Sequence, residues 1–202
     1  ARQAIRMTNQ VSIKDASFLK SKSVQELLAL LNAYGEEARV AGGAVRNVLL
    51  GQPVKDVDIA TTALPSEVIR RSEDAGYRTV PTGIDHGTVT VIIGGEPFEV
   101  TTLRADSDHD GRRANVDFGR DWKVDAKRRD FTINGLYADA DGTIVDLVGG
   151  LNDIESRTVR FIGDAEARIR EDYLRVLRFF RFFAWYGHGR PDGDAIRAIV
   201  RL

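Results

Sequence analysis

The stretch Arg39-Val40-Ala41-Gly42-Gly43-Ala44-Val45-Arg46-Asn47-Val48-Leu49-Leu50-Gly51, followed by Lys55-Asp56-Val57-Asp58-Ile59-Ala60-Thr61, decides how this chain is read. Arg39-Val40-Ala41 is a short apolar strand that runs into a glycine pair. Val45, Val48 and Leu49 share one face of a helix that Gly51 stops. Val57 to Thr61 reads as a second strand. Glycines let backbone N–H groups approach a phosphate, and a helix N-terminus favours an anion. Arg46 lies one turn inside that helix, within reach of the same phosphate. On a strand, residues i and i+2 point to one side, so Asp56 and Asp58 present two carboxylates together. Held that way they suit a hard divalent cation, which takes oxygen ligands. Without one, like charges so close repel and raise one pKa. Each piece alone has a plainer reading: two solvated acids at a strand end, and a glycine turn. Together, about a dozen residues apart and joined by one short helix, they point to a phosphate and metal site. Glu99, on the strand Phe98–Leu103, is either a third carboxylate or an exposed residue facing Arg104 or solvent.

Outward from this unit, Ser23 and Glu26 form a capping-box pattern before Val24, Leu27, Leu28 and Leu31, which predicts a helix over 24–34 stopped at Gly35. Pro65 suits the first position of a helix running to Ala75. Strands follow near 77–80, 86–93 and 97–103, the last two joined by a Gly94-Gly95 turn. His86 reads as a structural strand residue rather than a general base. Residues 105–120 form a polar, charged loop, whose Arg112 and Arg113 are either solvated or in contact with RNA. A helix over 121–134 leads to a hairpin at Asp141-Gly142. Beyond 164 the pattern is helical, with Leu174, Leu177, Phe180, Phe183 and Ala184 as the apolar side of a long helix ending at Gly187. Phe179, Phe180, Phe182, Phe183 and Trp185 read mostly as core of that region rather than as a stacking platform. A last helix begins near Asp194. No internal repeat is present, which argues against a solenoid. The expected organisation is a basic, flexible lead-in over 1–22, a mixed head over 23–155 and an incomplete helical neck over 156–202.

The 202 residues carry 29 Lys+Arg against 30 Asp+Glu and are 43% hydrophobic, enough for one or two domains with a real core. The lack of cysteine excludes a disulfide framework and any thiolate metal site. Three histidines leave little room for a His-rich zinc site. No apolar run approaches the roughly 20 residues of a membrane-spanning helix. The net charge of −1 conceals a basic end: Arg157 to Leu202 holds ten Arg and six acids. Arg2, Arg6, Lys14, Lys20 and Lys22 face only Asp15 in the opening segment. That composition suits a transit peptide, but no strong amphipathic period runs through it. It is read as a lead-in, and the chain as cytoplasmic.

Three motifs in order carry a resemblance. Gly42-Gly43-Ala44-Val45-Arg46 with Lys55-Asp56-Val57-Asp58-Ile59-Ala60-Thr61, then Arg128-Arg129-Asp130-Phe131-Thr132-Ile133-Asn134, then Glu171-Asp172-Tyr173-Leu174-Arg175-Val176-Leu177-Arg178 resemble the class II tRNA nucleotidyltransferases and their poly(A) polymerase relatives, from Ala38 to Pro191. The resemblance implies an α+β fold: a polymerase-beta-like nucleotidyltransferase head with a mixed sheet, followed by a helical neck. It implies addition of CMP and AMP from CTP and ATP to a tRNA 3′ end without a nucleic-acid template, with no membrane and no protein partner in evidence. Asp56 and Asp58 would hold catalytic Mg²⁺, with Glu99 as a further candidate. Gly42, Gly43 and Arg46 would hold the triphosphate. Arg129 and Asp130 would lie at the ribose and phosphates, with Arg128 and Asn134 of the same motif also nucleotide-binding. Asp172 and Arg175 would read the base, with Arg178 and Arg181 behind them. One departure is visible: the family usually has Asp after the Arg of the first motif, and here it is Asn47.

Asp172 and Arg175, at i and i+3, would share a helix face. A carboxylate only accepts hydrogen bonds and a guanidinium only donates. Cytosine and adenine each offer an amine donor beside a ring acceptor, whereas uracil and guanine present the reverse. A buried mismatch leaves polar groups unpaired at roughly 1–3 kcal/mol each, so one acceptor beside one donor selects C and A. A plain surface ion pair, including Glu171 with Arg175 at i, i+4, fits the same residues. Two other functions compete. A bacterial poly(A) polymerase shares the motifs, but Tyr77-Arg78-Thr79-Val80-Pro81-Thr82-Gly83-Ile84-Asp85-His86-Gly87-Thr88 resembles the tRNA branch. A catalytically inactive nucleotide- or RNA-binding module need not keep both Asp56 and Asp58.

Overall fold

The computed structural model describes residues 10–105 and 117–202; Arg112 and Arg113 lie outside them. The fold is α+β. Seven strands, β1 (Ala38–Ala41), β2 (Asp58–Thr61), β3 (Arg78–Gly83), β4 (Thr88–Ile93), β5 (Glu96–Thr102), β6 (Leu136–Ala138) and β7 (Ile144–Asp146), form one mixed sheet in the order β3-β4-β5-β2-β1-β6-β7. Only β2 and β5 run parallel, which sets Asp58 beside Glu99 in register. Alternation along the strands separates two faces. Val40 and Ile59 join the main core, whereas Ala41 and Ala60 face a smaller cluster with Leu103, Trp122, Ala126 and Tyr137. Asp58 shares the parity of Ala60, so it belongs to the second face.

On the first face lie α2 (Lys22–Leu31) and α4 (Pro65–Asp74). Val24, Leu27, Leu28 and Leu31 of α2 are completely buried, each contributing about 1.5–3 kcal/mol of transfer free energy. The N-cap of α2 is Ser21, which accepts from the Val24 N–H, rather than the expected Ser23. Pro65 does open α4. Before α2, the segment expected to be a lead-in carries α1 (Ser17–Lys20) and places Ile13 and Leu19 in the core. Its Ser12 bridges Thr143 beside β7.

Three expectations along the head need correction. β2 begins at Asp58, not Val57, so Asp56 sits in the preceding irregular segment. His86 is in a 3-10 turn, Ile84–His86, exposed and outside any strand. The helix expected over 121–134 is α5, Trp122–Lys127, and stops short of Arg128-Arg129-Asp130. A 3-10 turn at Thr132–Asn134 follows, and just before it the Asp130 carboxylate accepts from the Phe131 N–H at 2.7 Å.

The helix α3 spans Gly43–Leu49; α6 (Gly150–Ser156), α7 (Ala165–Glu171), α8 (Leu174–Tyr186) and α9 (Gly193–Arg201) complete the chain. α8 docks through Phe131, whose ring lies 5.4 Å from Phe182, 6.2 Å from Phe179 and 5.0 Å from Phe161. The buried side chains of α8 are therefore Phe179 and Phe182, while Leu174, Leu177, Phe180 and Trp185 are exposed. Of the expected apolar side, Phe183 packs partly against the core, while Leu174, Leu177 and Phe180 do not. No helix among the described residues is long and apolar enough to cross a membrane.

Candidate active site

A cavity of about 490 Å³ opens between the head and the start of α8, lined by Gly42, Gly43, Arg46, Asp58, Arg129, Asp130, Asn134, Asp172, Arg175, Arg178 and Phe182. Residues from all three motifs thus meet at one place. Of the other sequence candidates, Arg128 and Arg181 are not in this wall; Arg181 is exposed and lies over the Phe182 and Trp185 rings. Asp56 and Asp58 both line an adjoining cavity of about 590 Å³ that shares Gly43 and Arg46 with the first. Glu99 stands next to Asp58 on β5 but lines neither cavity.

The turn between β1 and α3 depends on Gly42, whose φ of 67° and ψ of −121° suit only glycine, and whose absent Cβ leaves room for Arg129 Nη1. Its own N–H donates to the Leu136 carbonyl at 3.0 Å. The expected pair of phosphate-facing amides is therefore reduced: the sheet uses Gly42, and among the described residues only Gly43 of the two has an N–H without a hydrogen bond.

Behind this turn a polar chain crosses the cavity floor. Arg46 donates to Asn134 Oδ1 at 2.5 Å, Asn134 Nδ2 donates to Asp130 Oδ1 at 3.0 Å, and Arg178 Nε donates to Asp130 Oδ2 at 2.9 Å. Asp130, expected at ribose and phosphate, spends its carboxylate on this chain and on the Phe131 N–H. Burial works to raise its pKa, but the bonds from Asn134, Arg178 and Phe131 outweigh that and hold it below the ordinary value. Arg46 is buried, bonded also to Tyr186 Oη at 3.0 Å and lying over that ring at 4.4 Å. Burial pulls its pKa below the ordinary value, against the opposing influence of Tyr186 and Asp130.

Arg129 is fixed differently. Its Nη2 faces Asp125 Oδ2 at 3.4 Å, and that carboxylate accepts from Tyr137 Oη at 2.6 Å. Among the described residues its buried Nε has no hydrogen-bond partner. Burial lowers the Arg129 pKa, but Tyr137 and Asp125 outweigh it and leave it raised. Asp125, Tyr137 and Tyr186 carry no motif signal; the Tyr137–Asp125 and Tyr186–Arg46 bonds span 12 and 140 positions, and the four-residue spacing of Asp125 and Arg129 is by itself an ordinary helical ion pair.

Asp58 is the opposite case. Partial desolvation, then the Glu99 and Asp56 carboxylates, raise its pKa, with Arg129 offsetting only part. No cluster of three metal-type side chains occurs among the described residues. Two exposed carboxylates whose repulsion is not relieved fit a hard divalent cation that completes its shell with phosphate oxygens and water.

At the neck end, Asp172 and Arg175 both face the cavity but do not lie on one helix: α7 ends at Glu171 and α8 starts at Leu174. The Glu171–Arg175 ion pair forms, at 2.6 Å, and Arg175 also donates to the Arg168 carbonyl at 2.7 Å. Asp172 Oδ1 accepts from the Leu174 N–H at 3.0 Å, and the remaining lone pairs of this exposed carboxylate face the cavity and solvent.

Residues 38–160 match the model of the poly A polymerase head domain. The chain is 46% identical over 201 residues to the mitochondrial CCA tRNA nucleotidyltransferase 1 of Danio rerio, covering 96% of this chain and 47% of the relative. It is 47% identical over 176 residues to the CCA-adding enzyme of Geobacillus thermodenitrificans, covering 86% and 42%. The chain thus spans about half the length of the curated relatives it matches. Its fold is similar to the crystal structure of the Bacillus stearothermophilus CCA-adding enzyme in complex with CTP, with a TM-score of 0.76 and 40% identity over 88% of this chain and 42% of that one. A tRNA nucleotidyltransferase complexed with a primer tRNA and an incoming ATP analog is similar at a TM-score of 0.69 and 26% identity, over 87% and 49%.

Proposed function

Because the chain belongs to the poly A polymerase head-domain family, we propose that it is the nucleotidyltransferase portion of a CCA-adding enzyme, transferring CMP and AMP from CTP and ATP to a tRNA 3′ end. In this reading residues 23–155 are the catalytic head, 156–202 are the neck, and 1–22 precede both. One observation carries the reading: the Asp58 carboxylate, the Arg46–Asn134–Asp130–Arg178 chain and the Asp172 and Arg175 side chains line a single cavity.

Asp56 and Asp58 would hold Mg²⁺, with Glu99 beside them as a further candidate. Bound there, the ion would supply charge neutralisation at the reacting phosphate. Arg46 and the Gly43 N–H hold the β- and γ-phosphates, and Arg129 lies beside Gly42 at the same turn. The acceptor's 3′ oxygen forms a bond to the α-phosphorus, the bond from that phosphorus to the bridging oxygen breaks, and pyrophosphate leaves. The hydroxyl proton passes to a carboxylate oxygen of Asp56 or Asp58. Positioning and fixed charge carry such a reaction. Asn134 and Asp130 orient Arg46 and Arg178. Asp172 accepts from the base amine and Arg175 donates to the ring acceptor, after exchanging part of its bond to Glu171.

The test is incubation of the full chain with tRNA lacking its terminal CCA, Mg²⁺, and CTP, ATP or both. Ordered addition of C then A, with no incorporation of UTP or GTP, is the expected outcome. Long oligo(A) products would replace this reading by a poly(A) polymerase, and binding without any product by an inactive module. A cytoplasmic place belongs to the same proposal; the vertebrate relatives are named mitochondrial, and imaging of the tagged full-length protein decides between the two.

A further inference from the structure

We propose that Tyr186, the last residue of α8, is a positioning residue for Arg46: from the neck it sets the guanidinium that holds the triphosphate. This rests on the reading that Arg46 holds the β- and γ-phosphates. Tyr186 lies outside the three motifs, 140 positions from Arg46. Its Oη accepts from Arg46 Nη2 at 3.0 Å, and the guanidinium carbon lies 4.4 Å from its ring centre. The residue is half-buried, packed against the core, with its ring 5.7 Å from that of Phe182. Arg178, Phe182 and Tyr186 stand at i, i+4 and i+8 on α8, so they form one stripe. Arg46 also lies over Phe182, at 5.2 Å. The polar chain of the cavity floor therefore starts and finishes on this stripe, running from Arg178 through Asp130, Asn134 and Arg46 to Tyr186.

A guanidinium carries five N–H bonds in one plane. In Arg46, Nε donates to Asn47, Nη1 to Asn134 and Nη2 to Tyr186. Among the described residues, the second N–H of Nη1 and of Nη2 is left for a ligand. The Tyr186 hydroxyl fixes the plane at Nη2, and its ring covers one face, where cation–ring attraction adds to the hydrogen bond. Held this way, the guanidinium meets a phosphate without first reorienting. Tyr186 also lines the 590 Å³ cavity with Gly43, Arg46, Asp56 and Asp58. Arg175, which faces the other cavity, stands in the first turn of the same helix. One helix of 13 residues thus ties the base end and the triphosphate end of a nucleotide to the same rigid element.

The test uses the full chain with Tyr186→Phe, which keeps the ring, and Tyr186→Leu, which keeps neither ring nor hydroxyl. Binding of CTP is measured by equilibrium dialysis without divalent ion, binding of CMP by its competition with CTP, and kcat, KM and melting temperature are recorded. We expect CTP binding to weaken about threefold in Tyr186→Phe and about tenfold in Tyr186→Leu. CMP binding should stay within about twofold of wild type, since CMP lacks the two phosphates that Arg46 holds. KM for CTP should rise in step with its dissociation constant while kcat changes little, as for an interaction made equally before and during transfer. CTP binding within about twofold of wild type in Tyr186→Leu overturns the proposal, and in a Tyr186→Leu chain that does not fold the same limit applies to Tyr186→Phe. An equal loss of CTP and CMP also overturns it, because Tyr186 would then hold the pose of the whole neck rather than Arg46. A wild-type chain that binds CTP but transfers nothing refutes the proposed function, while the CTP and CMP constants still decide the role of Tyr186; one that does not bind CTP overturns both.

Discussion

The head and neck walls of the cavity are built on different principles. Beneath the head wall, α2 buries all four of its apolar stripe residues completely. In the neck wall, α8 buries Phe179 and Phe182 but leaves Leu174 and Leu177 about two-thirds exposed, at 65% and 68%. The charges differ in the opposite sense. Asp58 in the head has carboxylates for neighbours, whereas the neck's Arg178 and Arg175 are ion-paired to Asp130 and Glu171. The head is thus held by apolar burial and can carry an electrostatically uncomfortable acid pair at its surface. The neck is held in place by the packing of Phe131 and Phe161 on Phe179 and Phe182 and by polar clasps. A wall held by clasps can be re-posed by changing a charge; a wall held by burial cannot.

The sharpest break of this contrast is Asp58→Ala. It should lower nucleotide transfer by about a thousandfold or more and leave the melting temperature unchanged or slightly raised, since it removes a repulsive charge. Transfer near the wild-type rate with Mg²⁺ present would remove the metal role. Next in size, Leu28→Ala should cost about 2–5 kcal/mol of stability, measured by urea unfolding. A loss below 1 kcal/mol would show that burial under the head wall is not what holds it.

Clasp variants come third. Arg178→Ala should cost about 1–2 kcal/mol, reduced from a fully buried pair because Arg178 is partly exposed. The Asp130 pKa is depressed in the folded state, so its stabilisation is present above the ordinary carboxylate value of 3.8 and is lost as pH falls through the folded value. Acidifying from about pH 5 to pH 3 should therefore destabilise wild type more than Asp130→Asn. Equal acid sensitivity of the two would mean that the clasp contributes nothing measurable.

Asp172→Ala should narrow the ratio of kcat/KM for CTP and ATP over UTP and GTP by about tenfold, one lost hydrogen-bond match. An unchanged ratio would leave Asp172 as a turn residue bonded to Leu174 only. The smallest effect belongs to Leu177→Ala, within about 0.5 kcal/mol. A cost near that of Leu28→Ala would mean the exposed side of α8 is covered in solution.

The segment from Ala38 to Thr61 was legible in sequence because its signals are local. A strand, a glycine that needs positive φ and a helix stop all act within one or two turns of chain, although Asp56 falls before β2 rather than on it. The sheet order, the Glu99 register with Asp58 and the partner of Asp130 were not, because each joins residues tens of positions apart. The most instructive case is α8. Aromatic or aliphatic side chains stand at 174, 176, 177, 179, 180, 182, 183, 185 and 186, so periodicity alone offers more than one buried face. Leucine spacing favoured Leu174, Leu177 and Phe180; Phe131 and Asp130, both from the head, select Phe179, Phe182 and Arg178 instead. Asp172 and Arg175 fare similarly, since the break between α7 and α8 lets Glu171 take the guanidinium. Residue types and short spacings set the chemistry that can gather here: acids for metal, arginines for phosphate, an acceptor and a donor for a base. Which of those groups are left free to act depends on the pairings made when distant segments meet, because a charged group bonded inside the fold is no longer available to a ligand.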